Sequence, residues 1–333
     1  MEQPCVSVIV PVHDGEAYLI EALESALIQD LQAIEVLVID DGSRDNSAFI
    51  VEQLAASDSR LKLLRQPQSG ASAARNRGID EAAGEFLCFL DADDCYEEVD
   101  YLSRLYNGAK GHGCNAAAGC LVNWWAPDRQ ERHFIGNDLL DGYEFAEEGI
   151  VQWQQWQFDY GFHRFLFHRS LFEGGANRFD ELVFFEDPVF LARILNDAGA
   201  FFATPRAHYL YRQSTAMRRW TTAMVLDLMK GVQANLEFSR QEGLARLHSY
   251  TVGHFDDYIG MIGLGLNAQV DSGPLEEPLR ALESAVDGGL LAQAGYGPLP
   301  YRSQMDIVLH PVGIQDRLRG LYHGLRHMKN RLF

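Results

Sequence analysis

At 333 residues the chain has room for about two domains with separate cores, and its 47% hydrophobic and 23% charged residues are a globular composition, not a disordered or repetitive one. Against 28 Lys and Arg stand 47 Asp and Glu; the net charge of −19 repels phosphate backbones, so no nucleic-acid partner is expected, and an anionic ligand needs local cations, helix N-termini or a bridging metal. The five cysteines include no CxxC pair and suit a reducing cytoplasm. No basic leader and no apolar run of about 18 residues is present, which predicts neither export nor a spanning helix.

The first hundred residues alternate apolar runs with helical stripes, the pattern of βαβ units around a parallel sheet covered on both faces. Strands are predicted at Val6–Val12, Ile34–Asp40, Leu61–Leu64 and Glu85–Asp91, with helices at Glu16–Gln29, Ser47–Ala56 and Ser72–Ala83 between them. Beyond, Ala116–Val122 is an apolar run and the middle region reads as α+β. Helical stripes dominate from Met224, which places a domain break near residue 220. The expected organisation is therefore an α/β domain over residues 1–220 and a mainly helical one over 221–333.

In such a sheet ligands sit beyond the carboxyl ends of the strands, so the loops after each strand carry the chemistry. The first strand ends in Pro11-Val12-His13-Asp14-Gly15-Glu16, the second in Asp40-Asp41-Gly42-Ser43, the fourth in Asp91-Ala92-Asp93-Asp94. No GxGxxG follows the first strand, which argues against a dehydrogenase. Asp91 and Asp93 flank one small residue and can aim two hard oxygen ligands at Mg²⁺ or Mn²⁺. Asp94 with Glu97 forms a capping box for a helix predicted at Tyr96–Leu105. Asp40 is expected to project into a nucleotide pocket, or to serve an ordinary turn. Arg75, in the first turn of a helix opened by small residues, is placed to meet a base or phosphate. Asp187 precedes Pro188 like an N-cap before the N1 residue of a helix at Val189–Leu195, a position that would lower its pKa.

Together, Val8-Ile9-Val10-Pro11-Val12, Asp40-Asp41-Gly42-Ser43, Ser72-Ala73-Ala74-Arg75-Asn76-Arg77-Gly78-Ile79, Phe89-Leu90-Asp91-Ala92-Asp93-Asp94 and Phe179-Asp180-Glu181 with Glu186-Asp187 resemble glycosyltransferase family 2 over residues 5–215. The resemblance implies a GT-A fold, Rossmann-like with a mostly parallel sheet and helices on both faces. It implies a nucleotide-sugar site in residues 1–95 and an acceptor region in 96–220. Pro11, Val12, Asp40 and Arg75 would line the nucleoside pocket; Asp91, Ala92 and Asp93 would form the DxD turn serving donor and metal. Asp187 would be the catalytic base, with Glu186 as its alternative. The segment His208-Tyr209-Leu210-Tyr211-Arg212-Gln213-Ser214 resembles the family's Tyr-Arg segment, in which Arg212 would meet the leaving diphosphate. His13-Asp14 departs from the aromatic residue and Asn often found there.

The expected activity is metal-dependent, inverting transfer of a sugar from a nucleotide-diphosphate donor, a UDP-sugar foremost, to a hydroxyl of a glycan or glycolipid in cell-surface polysaccharide synthesis. A sugar-nucleotidyltransferase or a non-catalytic nucleotide-sugar-binding module are the alternatives. Trp124, Trp125, Trp153 and Trp156 are candidates either for an acceptor platform or for the core, and His208 reads first as a packed or surface histidine. Residues 317–333 carry five basic residues and no acid beside an apolar stripe. That helix would dock on its own domain or a partner subunit in an oligomer, or lie peripherally on anionic lipid at the inner face of the membrane.

Overall fold

The computed structural model describes residues 3–124, 143–213, 220–264 and 273–295. The chain divides into two compact units, Met1–Ala216 and Met217–Phe333.

The first unit opens with β1 (Val6–Val12), α1 (Leu19–Leu27), β2 (Ile34–Asp40), α2 (Ser47–Ala55), β3 (Leu61–Arg65), α3 (Ala71–Glu81) and β4 (Phe86–Phe89). Every residue of β2 is buried and only Pro11 of β1 is partly exposed, because helices cover both faces; unbroken Val-Ile-Leu runs suit such strands. Leu19, Ala22, Leu23 and Ala26 form the buried stripe of α1, at the spacing of one helical face. This helix starts three residues later than predicted because the carbonyl of Gly15 accepts from the amides of Tyr18 and Leu19 in a turn. The strand order β3-β2-β1-β4 is parallel throughout and reverses direction of growth at β1, so the crevice lies beyond the carboxyl ends of β1 and β4.

The chain continues through β5 (Cys95–Tyr96), α4 (Tyr101–His112), β6 (Ala116–Trp124), β7 (Gly149–Gln152), α5 (Trp153–Trp156), β8 (Phe165–His168), α6 (Glu186–Ala198) and β9 (Ala200–Arg212). These strands extend the sheet in mixed directions: β8 is antiparallel to β4 and β6, β6 is parallel to β9, and β5 and β7 run antiparallel to β9. The helix predicted at Tyr96–Leu105 begins instead at Tyr101. Cys95 and Tyr96 pair with Leu210 and Tyr209 as β5, and the Tyr96 ring stacks on Tyr101 with centroids 4.4 Å apart. The predicted capping box therefore does not form. The Asp94 carboxylate accepts from the Tyr209 hydroxyl at 2.8 Å and the Arg212 amide at 2.7 Å, far along the chain. At the bulge of β6 against β9, a Cβ on Gly119 would lie 2.3 Å from the carbonyl oxygen of Ala207, so the close approach of the two strands requires glycine.

Among the described residues the second unit is helical: α7 (Thr222–Glu242), α8 (Ala245–Leu264), α9 (Glu276–Ala285) and α10 (Gly288–Gln293). The Thr221 hydroxyl caps α7 by accepting from the Met224 amide, and Asp287 caps α10 by accepting from the amides of Gly289 and Leu290. Val225, Leu228, Val232 and Leu236 of α7 and Leu279 and Leu282 of α9 are buried. No helix among the described residues is long and apolar enough to cross a membrane. Trp125 and the basic segment 317–333 lie outside the described residues.

Candidate active site

Three loops meet at the crevice and brace one another through backbone groups. Val12 pairs with Asp40 across β1 and β2, and the Val12 carbonyl accepts from the Asp41 amide at 2.9 Å. Asp40 is buried; one of its oxygens accepts from the Ser43 amide at 2.9 Å, and the other has no partner among the described residues. Asp41 organises the next loop by accepting from Gln66, Ser69 and Gly70, each at 2.8 Å. His13 donates Nδ1–H to the Asp41 carbonyl at 2.9 Å, while Asp14, at a φ of 51°, accepts from the Arg44 amide at 2.7 Å. An added Cβ on Gly15 would meet Val12 at 2.9 Å and Ala92 at 3.4 Å, which places the first loop directly against the Asp91–Asp93 turn.

At the centre stands Arg75, 6% exposed and flanked by the rings of Phe162 and Phe179, with its guanidinium carbon 4.9 and 5.3 Å from their centroids. Its Nη2 donates to Asp91 Oδ1 and its Nη1 to Glu186 Oε1, both at 3.0 Å. Expected at a base or phosphate, Arg75 is thus an internal strut between the metal-type turn and α6. Burial opposes its charge, but Asp91 and Glu186 outweigh that and raise its pKa. Asn76 fastens α3 to the following segment through a pair of bonds with the Phe179 backbone at 2.8 and 2.9 Å.

The Asp91 carboxylate also accepts from His163 Nε2, at 3.1 Å. Burial works to raise its pKa, yet Arg75 and His163 hold it well below the usual carboxylate range. Asp93 is exposed, and its carboxylate has no side-chain partner among the described residues; desolvation and the Asp91 charge raise its pKa. Asp94 is buried and shifted well upward by desolvation and by Asp91 and Asp93. This turn fits a hard divalent cation. Asp93 forms no ion pair among the described residues, and each Asp91 oxygen keeps a lone pair beyond its one nitrogen contact.

Asp187 does not cap α6. Phe185, at a φ of 69°, is the cap and Glu186 the first helical residue, so Asp187 is the second. The pKa is not lowered as expected: burial first, and then Glu186, push it up to about 8 against the pull of Arg75, and a helix N-terminus is the weaker influence. Buried Asp159 adds its repulsion. The Asp187 carboxylate has no side-chain partner among the described residues, whereas Glu186 is bound to Arg75.

Arg212 lies at the end of β9, its guanidinium carbon 3.9 Å from the Trp124 ring centroid and 4.3 Å from that of Tyr18. It donates Nε–H to the Asp93 carbonyl at 2.7 Å and Nη2–H to Glu21 at 2.6 Å. It therefore buttresses the turn from its backbone side. Trp153 is fully buried, and Trp156 packs against Phe158, Phe165 and Phe201, so both serve the core; Trp124 lines a cavity of about 640 Å³ with Glu21, Glu24 and Glu97. His208, half-buried, bonds Glu98 through Nδ1 and lies 3.4 Å from Glu97; the three ligand atoms lie within 4.8 Å of one another, a grouping apart from Asp91 and Asp93. Sequence reasoning missed His163, Asp159 and Tyr211. Desolvation and the charges of Asp91, Asp94, Asp187 and Asp93 raise the Tyr211 phenol.

Residues 7–175 match the family model for glycosyl transferase family 2. The glycosyltransferase EpsJ of Bacillus subtilis is 31% identical over 255 residues, covering 73% of this chain and 72% of that protein. EpsH of the same organism is 31% identical over 251 residues, 72% and 71% of the two chains. Among solved structures, S. aureus TarS in complex with UDP-GlcNAc superposes with a TM-score of 0.57 at 19% identity, over 87% of this chain and 92% of that one. The mannosyltransferase PcManGT of Pyrobaculum calidifontis, in complex with GDP-Man and Mn²⁺, gives 0.52 at 17% identity, over 92% and 79%. Sequence match, relatives and a GT-A-type α/β fold with helices beyond it agree: the chain belongs to glycosyltransferase family 2, and its chemistry is glycosyl transfer.

Proposed function

We propose that the chain is an inverting, metal-dependent glycosyltransferase that moves a sugar from a nucleoside-diphosphate donor, a UDP-sugar foremost, to a hydroxyl of a glycan or glycolipid acceptor. The carrying observation is geometric: among the described residues the Asp187 carboxylate has no side-chain partner, and the adjoining Glu186 is tied through Arg75 to Asp91 of the Asp91–Asp93 turn. Structures of the same fold hold UDP-GlcNAc, or GDP-Man with Mn²⁺, which supports a nucleotide-sugar donor.

Asp93, with Asp91, would hold Mn²⁺ or Mg²⁺, which when bound supplies positive charge to a diphosphate that a chain of net charge −19 otherwise repels. Pro11, Val12 and Asp40, one oxygen of which has no partner among the described residues, would line the nucleoside pocket, with donor binding assigned to residues 1–95 and acceptor binding to 96–220. Asp187 takes the acceptor hydroxyl proton as that oxygen bonds to the anomeric carbon and the bond to the diphosphate breaks. Attack from the face opposite the leaving group inverts the configuration. Arg75, bonded to Glu186 and Asp91, would brace the start of α6 that carries this base.

Thermal stabilisation by a panel of nucleotide sugars with and without Mn²⁺ tests the reading, because a ligand that binds only the folded chain raises its melting temperature by mass action. Stabilisation by a UDP-sugar that requires Mn²⁺ is expected. Equal stabilisation after chelation overturns the metal role, and no response to any nucleotide sugar overturns the donor assignment.

A further inference from the structure

We propose that His163 is a positioning residue for the donor, holding the Asp91 carboxylate jointly with Arg75 so that the Asp91–Asp93 turn meets the nucleotide in one fixed orientation; this rests on the donor site proposed above. Three observations carry it.

The first is register. Strands β4 and β8 are antiparallel with Cys88 opposite Leu166, so the chain leaving β4 towards Asp91 runs beside the chain entering β8 from His163. Gly161, at a φ of 78°, turns the chain into the short helical turn Phe162–Arg164 that delivers the ring there.

The second is division of labour on the carboxylate. Arg75 donates to Oδ1 at 3.0 Å and His163 Nε2 lies 3.1 Å from Oδ2, so each carboxylate oxygen faces its own nitrogen. Ionised Asp91 cannot donate, so the proton of this bond belongs to Nε2 of the imidazole.

The third is cost. His163 is 8% exposed, packed against Phe162 at 3.8 Å between ring centroids, and its Nδ1 has no hydrogen-bond partner among the described residues. An aromatic hydrocarbon would fill this pocket without burying an unpaired nitrogen. Only the bond to Asp91 accounts for a histidine here.

The experiment titrates UDP and GDP, each with Mn²⁺, into the full chain by calorimetry. It compares wild type with His163→Ala, His163→Asn and His163→Gln. Glutamine can place an amide N–H where Nε2 stands; asparagine reaches only the Nδ1 position. Loss of a bond to a charged group predicts about a ten- to hundredfold weaker nucleotide Kd for the Ala and Asn variants, with Gln within about threefold of wild type. In transfer assays KM for donor rises more than kcat falls. Equal affinity in all four proteins, or a Gln variant as weak as Asn, overturns the proposal; should the Ala variant fail to fold, the Asn and Gln pair decides alone. No nucleotide binding by wild type overturns the donor reading itself and this assignment with it.

Discussion

Replacing Asp187 with Asn removes the charge while keeping the shape of the side chain. Because the carboxylate is pushed up to about 8, by burial first and by Glu186 second, the wild-type base is about one-tenth ionised at pH 7 and about nine-tenths ionised at pH 9. Transfer by the wild type should therefore rise about tenfold across that interval. The Asn variant should lose about 10²–10⁴-fold in kcat, or about 3–5 kcal/mol of transition-state stabilisation, and show no such limb. Stability moves the other way. Between the ordinary 3.8 and about 8 the native state retains a proton that the unfolded chain has released, so wild-type stability falls as pH rises through this window. The Asn variant escapes that fall and should melt higher than wild type at about pH 9. Initial rates at saturating donor from about pH 6 to about pH 9, with melting temperatures at the same points, measure both. A variant within about threefold of wild-type rate, or a wild-type profile that is flat above about pH 6, refutes Asp187 as the base.

Asp93→Asn should weaken Mn²⁺-dependent nucleotide binding more than about tenfold with no loss of melting temperature, and in wild type the Mn²⁺ affinity should fall at acid pH because the raised Asp93 pKa makes protons compete with the metal. Arg75→Met should cost about 3–5 kcal/mol in a denaturant titration, since it strands Asp91 and Glu186 around a side chain that is only 7% exposed. Gly119→Ala should cost about 1–3 kcal/mol in the same titration, because its Cβ would press on the backbone carbonyl of Ala207 and no side chain can yield there.

The two central strands were legible to the residue. The apolar runs Val8-Ile9-Val10 and Val36-Leu37-Val38-Ile39 at their centres are buried. Helix starts were harder to read where an acid resembling a cap had a distant use. Asp94 serves Tyr209 and Arg212 of β9, and Asp187, paired with Pro188, sits one residue inside α6. Tertiary bonds there override local capping preference. Asp91, Asp93 and Asp187 stood out because they follow strands or precede a helix in a recognisable order. Their electrostatics did not, since the pKa of Asp187 depends on Glu186, Arg75 and Asp159, and burial cannot be read along one segment. His163 carried no signal at all: a single histidine amid aromatic residues becomes meaningful only when β8 pairs with β4.

The bridge made by Arg75 has a geometric consequence. The Asp91–Asp93 turn grows from β4 and Asp187 from α6, and the intervening chain of nearly a hundred residues includes the tryptophan-rich region expected to adapt to the acceptor. The span between the turn and the start of α6 is held by one guanidinium and two carboxylates, not by the length of that chain. Loops between them can lengthen, shorten or change composition while the separation of Asp91 and Glu186 stays the same; if Asp187 is the base, its placement against the donor turn is kept with it. Acceptor preference can thus diversify around a ruler that does not stretch.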